Sequence, residues 1–251
     1  MDLQPVVDRV VAGTPGVRWS ISVPGRAEHE PGRRLRTASI GKLLLLIEVA
    51  RGIEDGSLDP GELLSKDPAL AVADSGLWQH LAVEALPLTD VAVLIASVSD
   101  NFATNVMLAR VGLPAVRLVA ARLHLHETEL LDFVRNKRAS HHPPTLSTGA
   151  AGELAGLMQH IARRTLLTRA VSERMDTWMA TSVDLSMVAS GFGDDPLAHT
   201  ATVRNKTGTD DGIRADVGFV GDQAYAVLAN YPAGDTWLVM RAMREIGAAL
   251  S

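Results

Sequence analysis

The sequence has no cysteine among its 251 residues. A disulfide framework, a thiolate metal site and a thiol nucleophile are therefore all excluded. It also lacks a strong excess of either charge, with a net charge of -5 and a pI of about 5.9. This balance argues against a nucleic-acid partner and against a polybasic patch that would bind a membrane surface.

Long hydrophobic runs are missing too, because the longest falls short of a membrane span. Residues 1–5 lack the basic and apolar stretches of a signal peptide. We therefore expect a cytoplasmic protein if this N-terminus is native, and a periplasmic or secreted one if a leader has been trimmed. The composition, 47% hydrophobic and 21% charged, is typical of a globular protein.

Strand patterns occur near both ends of the chain, and helical patterns fill the middle. Alternating residues predict a strand at 17–23. We also predict a weaker strand at 33–37 and three consecutive antiparallel strands at 200–207, 213–220 and 223–231, with turns between them. Helical periodicity predicts helices at 2–12, 39–53, 90–97, 103–111, 114–125, 147–164, 172–179 and 237–250. Thr89 and Ser147 are predicted N-caps, and residues 191–196 a turn.

These patterns favour an α/β fold of the α+β kind. Its antiparallel sheet is formed from both termini and flanked by helices, with an all-helical domain inserted between them. We predict a sheet domain at 1–37 and 197–251, a helical domain at 38–196, and an active site between the two.

Ser39 precedes Lys42 by three residues at the start of a very apolar helix. Residues at this spacing share a helix face, so both side chains can point to one place. An amine held against a buried helix is desolvated, which lowers its pKa and lets it act as a base for a serine nucleophile. Serine is common, so this pair alone also has a chance explanation.

Two further motifs follow in the chain. Ser99-Asp100-Asn101 lies at a break between helices, and Lys206-Thr207-Gly208 ends a strand just before a turn. The order S-x-x-K, S-D-N, K-T-G is the signature of class A β-lactamases and penicillin-binding proteins. The sequence therefore resembles the penicillin-recognising serine hydrolase family, closest to class A β-lactamases, over nearly its whole length.

The resemblance implies a β-lactamase/transpeptidase-like fold and a serine hydrolase that works through an acyl-enzyme. Ser39 would be the nucleophile and Lys42 its base or proton relay. Ser99 would pass a proton to the leaving nitrogen, and Lys206 would supply positive potential beside it. Asn101 would bind the acyl-amide side chain of the substrate and orient Lys42.

The resemblance also implies a substrate-binding group of Thr207, Gly208, Thr209 and Arg214. Thr207 would bind a substrate carboxylate, and the backbone N–H groups of Ser39 and Thr209 would form the oxyanion hole. Arg214 is a candidate bidentate partner for that carboxylate, the alternative being a solvated strand arginine. The expected partner is a small β-lactam, amide or ester bearing a carboxylate, with no cofactor, nucleic acid or membrane.

The resemblance breaks at the family's deacylating glutamate, which lies on a loop after the second motif. One alignment places Glu127 there, and another, with fewer gaps, places Val134 there. Glu127 and Glu129 stay candidates for the base, with solvated loop acids as the alternative. Without a base the serine would be acylated and the ester hydrolysed slowly, as in D-Ala-D-Ala peptidases. A penicillin-binding sensor that acylates without efficient turnover is the second hypothesis.

Residues 126–146 form a long polar segment of a kind that is often functional. The histidines in and beside it, His124, His126, His141 and His142, show no HExxH pattern, and we expect solvated side chains rather than a metal site. We expect Asp100 to be structural, accepting hydrogen bonds from nearby backbone donors.

Overall fold

The computed structural model describes residues 2–193 and 202–251. The helices are α1 (Gln4–Ala12), α2 (Lys42–Glu54), α3 (Leu88–Ser97), α4 (Asn101–Val111), α5 (Leu113–Arg122), α6 (Ala151–Ala162), α7 (Arg169–Met179) and α8 (Thr236–Leu250). The strands are β1 (Arg18–Val23), β2 (Ala27–His29), β3 (Leu35–Arg36), β4 (Leu63–Ser65), β5 (Ala85–Pro87), β6 (Glu129–Leu130), β7 (Ser147–Gly149), β8 (Val203–Asp210), β9 (Ile213–Val220) and β10 (Gln223–Asn230).

The main sheet combines strands from both ends of the chain, as the sequence predicts. Its order is β2-β1-β10-β9-β8, and all of its pairs are antiparallel. The N-terminal strand β1 lies beside the C-terminal strand β10, with Trp19 opposite Ala229. Strand β8 therefore forms one edge of the sheet, next to the segment that precedes α2. This arrangement confirms the predicted fold class.

Apolar side chains cover both faces of this sheet. On one face α1 and α8 pack around the buried side chains of Trp19 and Tyr225. On the other face α6 lies against β10 and β9, and α2 lies beyond it. Leu43 to Ile47 in α2 are all almost completely buried, so this helix forms the centre of the helical part.

Several local predictions need correction. Thr89 lies inside α3, which begins at Leu88, so Thr89 is not an N-cap. Ser147 does not cap a helix: it lies in β7, which pairs with β3 and β6 in a small three-stranded sheet. The helix that follows begins at Ala151 instead. The short β2, which pairs with β1, was not predicted because only three residues form it.

Some predictions fall outside the described residues. The segment 194–201 contains the predicted domain boundary between 196 and 197, the start of the strand predicted at 200 and part of the turn predicted at 191–196. The domain division therefore stays a prediction. Within 2–193 and 202–251 no single helix has the length and apolar composition to cross a membrane. One pair of consecutive helices, Asn101–Val111 and Leu113–Arg122, meets the criteria of length and composition when taken together, although it is bent by 86°.

Candidate active site

Ser39 lies in a tight 3-10 turn, Ala38–Gly41, immediately before α2. Its side chain is half-buried, and the residue before it, Ala38, has a positive φ of 48°. A non-glycine residue in this region is strained, and such strain persists only where the surroundings hold it. Here the surroundings include Ser147, whose buried hydroxyl donates to the carbonyl of Ala38 at 2.6 Å and accepts from the amide of Gly41 at 3.3 Å.

Glycine at position 41 is required by this contact. A Cβ added to Gly41 would lie 2.4 Å from the Cβ of Ser147. Ser147 thus stabilises the turn Ala38–Gly41 that carries Ser39, which we call the serine turn. The sequence had instead predicted Ser147 to be a helix cap. The only sequence signal was its hydroxyl type, because the pairing of β7 with β3 that brings it there is a tertiary contact.

Lys42 is completely buried at the start of α2. Its Nζ donates to the carbonyl of Ser99 at 2.7 Å, to Ser99 Oγ at 3.2 Å and to Asn101 Oδ1 at 2.8 Å. Burial, and then the charge of Lys206, lower the pKa of Lys42 well below its usual value, while Asp100 opposes the shift. A lowered pKa is the property that an amine needs to accept a proton near neutral pH.

Ser99 is the hydroxyl that both motif amines reach. Lys206 Nζ donates to Ser99 Oγ at 2.9 Å, and Lys42 Nζ donates to the same oxygen at 3.2 Å. Ser39 Oγ, by contrast, has no hydrogen bond to either amine within the described residues. Lys42 donates its three hydrogen bonds to Ser99 and Asn101. Ser39 and Lys42, the two residues of the first motif, therefore form no direct hydrogen bond with each other.

Asp100, the residue after Ser99, is held by hydrogen bonds from three backbone amides. Its buried carboxylate accepts from the amides of Leu77 and Trp78 at 2.7 and 2.8 Å, and from the amide of Ala103 at 2.9 Å. It therefore caps α4 and ties it to the 77–78 segment, which confirms the structural role predicted for it. Ser99 itself has a positive φ of 55°, so a second strained residue borders the site.

Lys206 lies in β8 and is almost fully buried. Its Nζ also donates to the carbonyl of Thr207 at 2.9 Å. Burial lowers the pKa of Lys206 to about 8, against the opposing effects of Asp184 and Asp216. The pKa of Asp216 is itself raised by burial to about 6, although it accepts hydrogen bonds from Ala189, Asn205 and Tyr225.

Gly208 lets the edge strand approach the serine turn. A Cβ at this position would lie 2.2 Å from the carbonyl oxygen of Thr37, so only glycine fits. Strand β8 has no further strand on this side, and its outer edge faces Ala38–Gly41. Thr209 pairs with Arg214 across the β8–β9 hairpin, and Arg214 Nη1 donates to the carbonyls of Asp210 and Ile213 at 3.0 and 2.7 Å.

A cavity of about 810 Å³ brings most of these groups together. Its lining includes Ser39, Ser99, Asn101, Lys206, Thr207, Thr209 and Arg214, with Lys42 buried behind it. Four acids, Asp74, Asp184, Asp210 and Asp211, also line it. The three motifs therefore open on one space large enough for a drug-sized molecule.

The family model described as "Beta-lactamase enzyme family" (Beta-lactamase2) matches residues 3–251 of this chain. The chain belongs to the β-lactamase enzyme family. It is a serine hydrolase of the class A-like kind, as the motifs indicated.

Solved structures agree with the fold of this β-lactamase family member. The β-lactamase from Sphaerobacter thermophilus DSM 20745 is 26% identical, with a TM-score of 0.85, and the match covers 100% of this chain and 97% of that one. A PBP-A mutant, solved as an acyl-enzyme complex with penicillin-G, is 21% identical with a TM-score of 0.80 over 98% and 93% of the chains. An ancestral (GNCA) class A β-lactamase is 18% identical with a TM-score of 0.80 over 98% and 97%. No curated protein matches by sequence.

The two glutamates considered as deacylating bases lie outside the cavity of this β-lactamase relative. Glu127 is 3.9 Å from Arg34, and Glu129 forms an ion pair with Arg117 at 3.0 Å. Neither belongs to the cavity lining, whereas Val134 does. The two candidate bases therefore lie outside the lining that contains Ser39, and their contacts with arginines fit the alternative of loop acids that take no part in the chemistry.

The loop histidines do not gather into a metal site. In the part of the chain that the structure describes, no group of three histidines or acids has the geometry to hold a metal ion. His142 accepts from the amide of Ala139 at 3.0 Å, and its ring contacts that of His141 in a tilted arrangement, with centroids 4.1 Å apart. These contacts serve the local loop conformation.

Proposed function

We propose that this β-lactamase family member forms an acyl-enzyme at Ser39 with a β-lactam, or a related amide or ester, that bears a carboxylate, and that it hydrolyses the ester slowly. The observation that carries the proposal is the continuous hydrogen-bonded line from Lys42 through Ser99 to Lys206, which borders the same cavity as Ser39. Such a line can move a proton from the nucleophile to a leaving group.

The acylation step uses the low pKa of Lys42. As an ammonium, Lys42 donates three hydrogen bonds, but as a neutral amine it keeps two donors and gains a lone pair that can accept the proton of Ser39. Ser39 Oγ then bonds to the carbonyl carbon and the C–N bond breaks. Ser99 gives its proton to the nitrogen, and Lys42 returns a proton to Ser99.

The developing oxyanion would lie between two backbone amides. Ser39 lies in the first turn of the 3-10 segment, where amides have no partner within the turn. Thr209 lies in the edge strand beside that turn. Donors held in place before the reaction stabilise a developing negative charge without reorganisation.

The substrate carboxylate is assigned to the β8 side of the cavity. Lys206, Thr207 and Arg214 line this side, and two of them are cations at neutral pH. Attraction between these cations and the carboxylate would raise the rate of productive encounter. The methyl ester of the same substrate should therefore react more slowly.

Slow deacylation is proposed because the loop beside the cavity presents Val134 rather than a carboxylate. A valine side chain cannot accept a proton from water, and the two glutamates of the loop pair with arginines elsewhere.

Intact-protein mass spectrometry with benzylpenicillin tests the proposal. We expect the unaltered chain and Ser182→Ala, which removes another serine of the cavity lining, to gain the mass of one intact penicillin. Ser39→Ala should gain nothing. Equal labelling of Ser39→Ala and the unaltered chain would overturn the assignment of the nucleophile.

The second candidate is a penicillin-binding sensor or a D-Ala-D-Ala peptidase-like enzyme, favoured by the same Val134 position. A chromogenic cephalosporin separates sensor from hydrolase. A single burst equal to the protein concentration supports the sensor, whereas continued turnover supports the hydrolase. Release of D-alanine from a D-Ala-D-Ala peptide would identify the peptidase.

A further inference from the structure

Two arginines form part of the cavity wall and have no role in the chemistry described above. Arg135 and Arg138 both line the cavity, next to Val134. Arg135 donates to both oxygens of Asp132 at 2.7 and 2.9 Å. Arg138 Nη1 donates to Asp132 at 2.8 Å and to the carbonyl of Pro143 at 3.1 Å.

This cluster carries unused positive charge and unused donors. One nearly buried carboxylate, that of Asp132, serves two guanidinium groups, so the cluster has a net charge of +1. Within residues 2–193 and 202–251, Arg135 Nη1 and the Nε and Nη2 of Arg138 have no hydrogen-bond partner. The ion pairs with Asp132 hold the arginines in place but leave these donors available.

The arginines lie on the Asn101 side of Ser39. Asn136, between them, accepts a hydrogen bond from the amide of Ala73 at 2.8 Å, and Asn101 donates to the carbonyl of Ala73 at 3.1 Å. Ala73 thus connects the arginine segment to Asn101. The proposed carboxylate-binding groups lie instead on β8, so the two sets of cations border different parts of the cavity.

We propose that Arg135 and Arg138 form a second anion subsite, which selects substrates whose acyl side chain carries a carboxylate. The inference rests on the proposed function, because it takes the acyl side chain to extend past Asn101. Guanidinium groups with free, directed N–H bonds are well suited to a carboxylate. A substrate with anionic groups at both ends would then meet a pair of cationic side chains at each end, beside the cavity acids Asp74, Asp184, Asp210 and Asp211.

A matched pair of penicillins provides the probe. Adipoyl penicillin and hexanoyl penicillin have six-carbon acyl chains and differ in the terminal carboxylate. We expect the unaltered chain to be acylated about tenfold faster by the adipoyl compound. The rate ratio should fall several-fold in Arg135→Gln and in Arg138→Gln, and approach one in Asp132→Asn/Arg135→Gln/Arg138→Gln, which removes all three charges together.

Arg117→Gln is the matched control, because it removes an arginine that pairs with Glu129 outside the cavity. Its rate ratio should equal that of the unaltered chain. A ratio near one in the unaltered chain, or a ratio that the cavity variants leave unchanged, would overturn the subsite. A variant that slows both compounds alike keeps a high rate ratio. That result would assign the loss of rate to the fold and would also overturn the subsite.

Non-covalent binding to Ser39→Ala separates this subsite from the proposed reaction. Calorimetric titration with each compound should give about tenfold tighter binding of adipoyl penicillin, and the three cavity substitutions should remove the difference. If neither compound acylates the unaltered chain but this difference is found, the acylation proposal fails and the subsite stands. Equal binding of the two compounds to Ser39→Ala overturns the subsite.

Discussion

The two sides of the cavity differ in how closely they follow the family signature. On one side, Lys42, Ser99 and Lys206 match the signature, and hydrogen bonds of 2.9 and 3.2 Å join the two amines through one hydroxyl. The side formed by Val134 to Arg138 has a valine and two arginines in a region where a deacylating carboxylate is expected. In the proposed reaction, the first side would serve acylation of the serine, and the second would serve removal of the acyl group.

In the proposed reaction, acylation and deacylation therefore depend on separate parts of this fold. Lys42 at the start of α2 and Lys206 within β8 are buried, and Ser99, between α3 and α4, is partly buried, so changes at these positions would disturb the core. The other wall belongs to a loop held by hydrogen bonds to Asn105 and Ala73, and we expect it to tolerate substitution more easily. The following predictions test this contrast, from the largest expected effect to the smallest.

Lys42→Met should lower the acylation rate by benzylpenicillin about 10²–10⁴-fold, because it removes the proton acceptor but keeps the length of the side chain. The measurement is the second-order rate of adduct formation by mass spectrometry. Circular dichroism serves as the check on folding. Retention of the full rate in a folded variant would show that Lys42 is not the base.

Val134→Glu should shorten the life of the acyl-enzyme by about 10²-fold or more, because it places a carboxylate in the cavity wall. Val134→Gln, with similar size and no basic group, is the control and should leave the lifetime long. Decay of the adduct mass after removal of free penicillin gives the rate. Equal lifetimes in the two variants would contradict the view that this wall lacks only a base.

The acylation rate should follow a bell-shaped pH profile. The rising limb comes from deprotonation of Lys42, whose pKa is depressed, and the falling limb from deprotonation of Lys206, whose pKa is about 8. Lys206 is a cation below its pKa, so attraction for a substrate carboxylate is present at neutral pH and lost above pH 8. We expect the rate to fall about fivefold between pH 8 and pH 9.

The methyl ester of benzylpenicillin is the control for this pH profile. It has no carboxylate for Lys206 to attract, so its profile should show the rising limb and a much weaker falling limb. Identical falling limbs for acid and ester would assign that limb to another group.

Ser147→Ala should destabilise the fold by about 1–3 kcal/mol, because it leaves buried partners of its hydroxyl without a hydrogen bond. It should also slow acylation several-fold through the loosened Ala38–Gly41 turn. Ser172→Ala removes a buried serine hydroxyl that contacts Leu166 and Thr168, away from the cavity. Ser172→Ala should lower the free energy of unfolding in urea by a similar amount and leave the acylation rate unchanged. An equal loss of acylation rate in both variants would refute a local role for Ser147.

Much of this protein is determined by local sequence. The apolar run after Lys42 forms a buried helix, and the stretches at 213–220 and 223–230, each bounded by turn residues, form strands as predicted. The three motifs predicted Lys42, Ser99 and Lys206 as residues of the proposed relay, because the motifs resemble a known signature. The residues alone suggested only that an amine beside a hydroxyl on an apolar helix could act as a base.

Tertiary structure alone decided which of these groups touch. The first motif joins Ser39 to Lys42 in sequence, yet the hydroxyl between both amines is Ser99, which is distant from each along the chain. The strand pairing of β7 also decided that Ser147 holds the serine turn, and tertiary contacts placed Glu127 and Glu129 beside arginines outside the cavity lining. The physical reason is that periodicity specifies which face of an element is buried, whereas contacts between elements depend on how those faces pack in space.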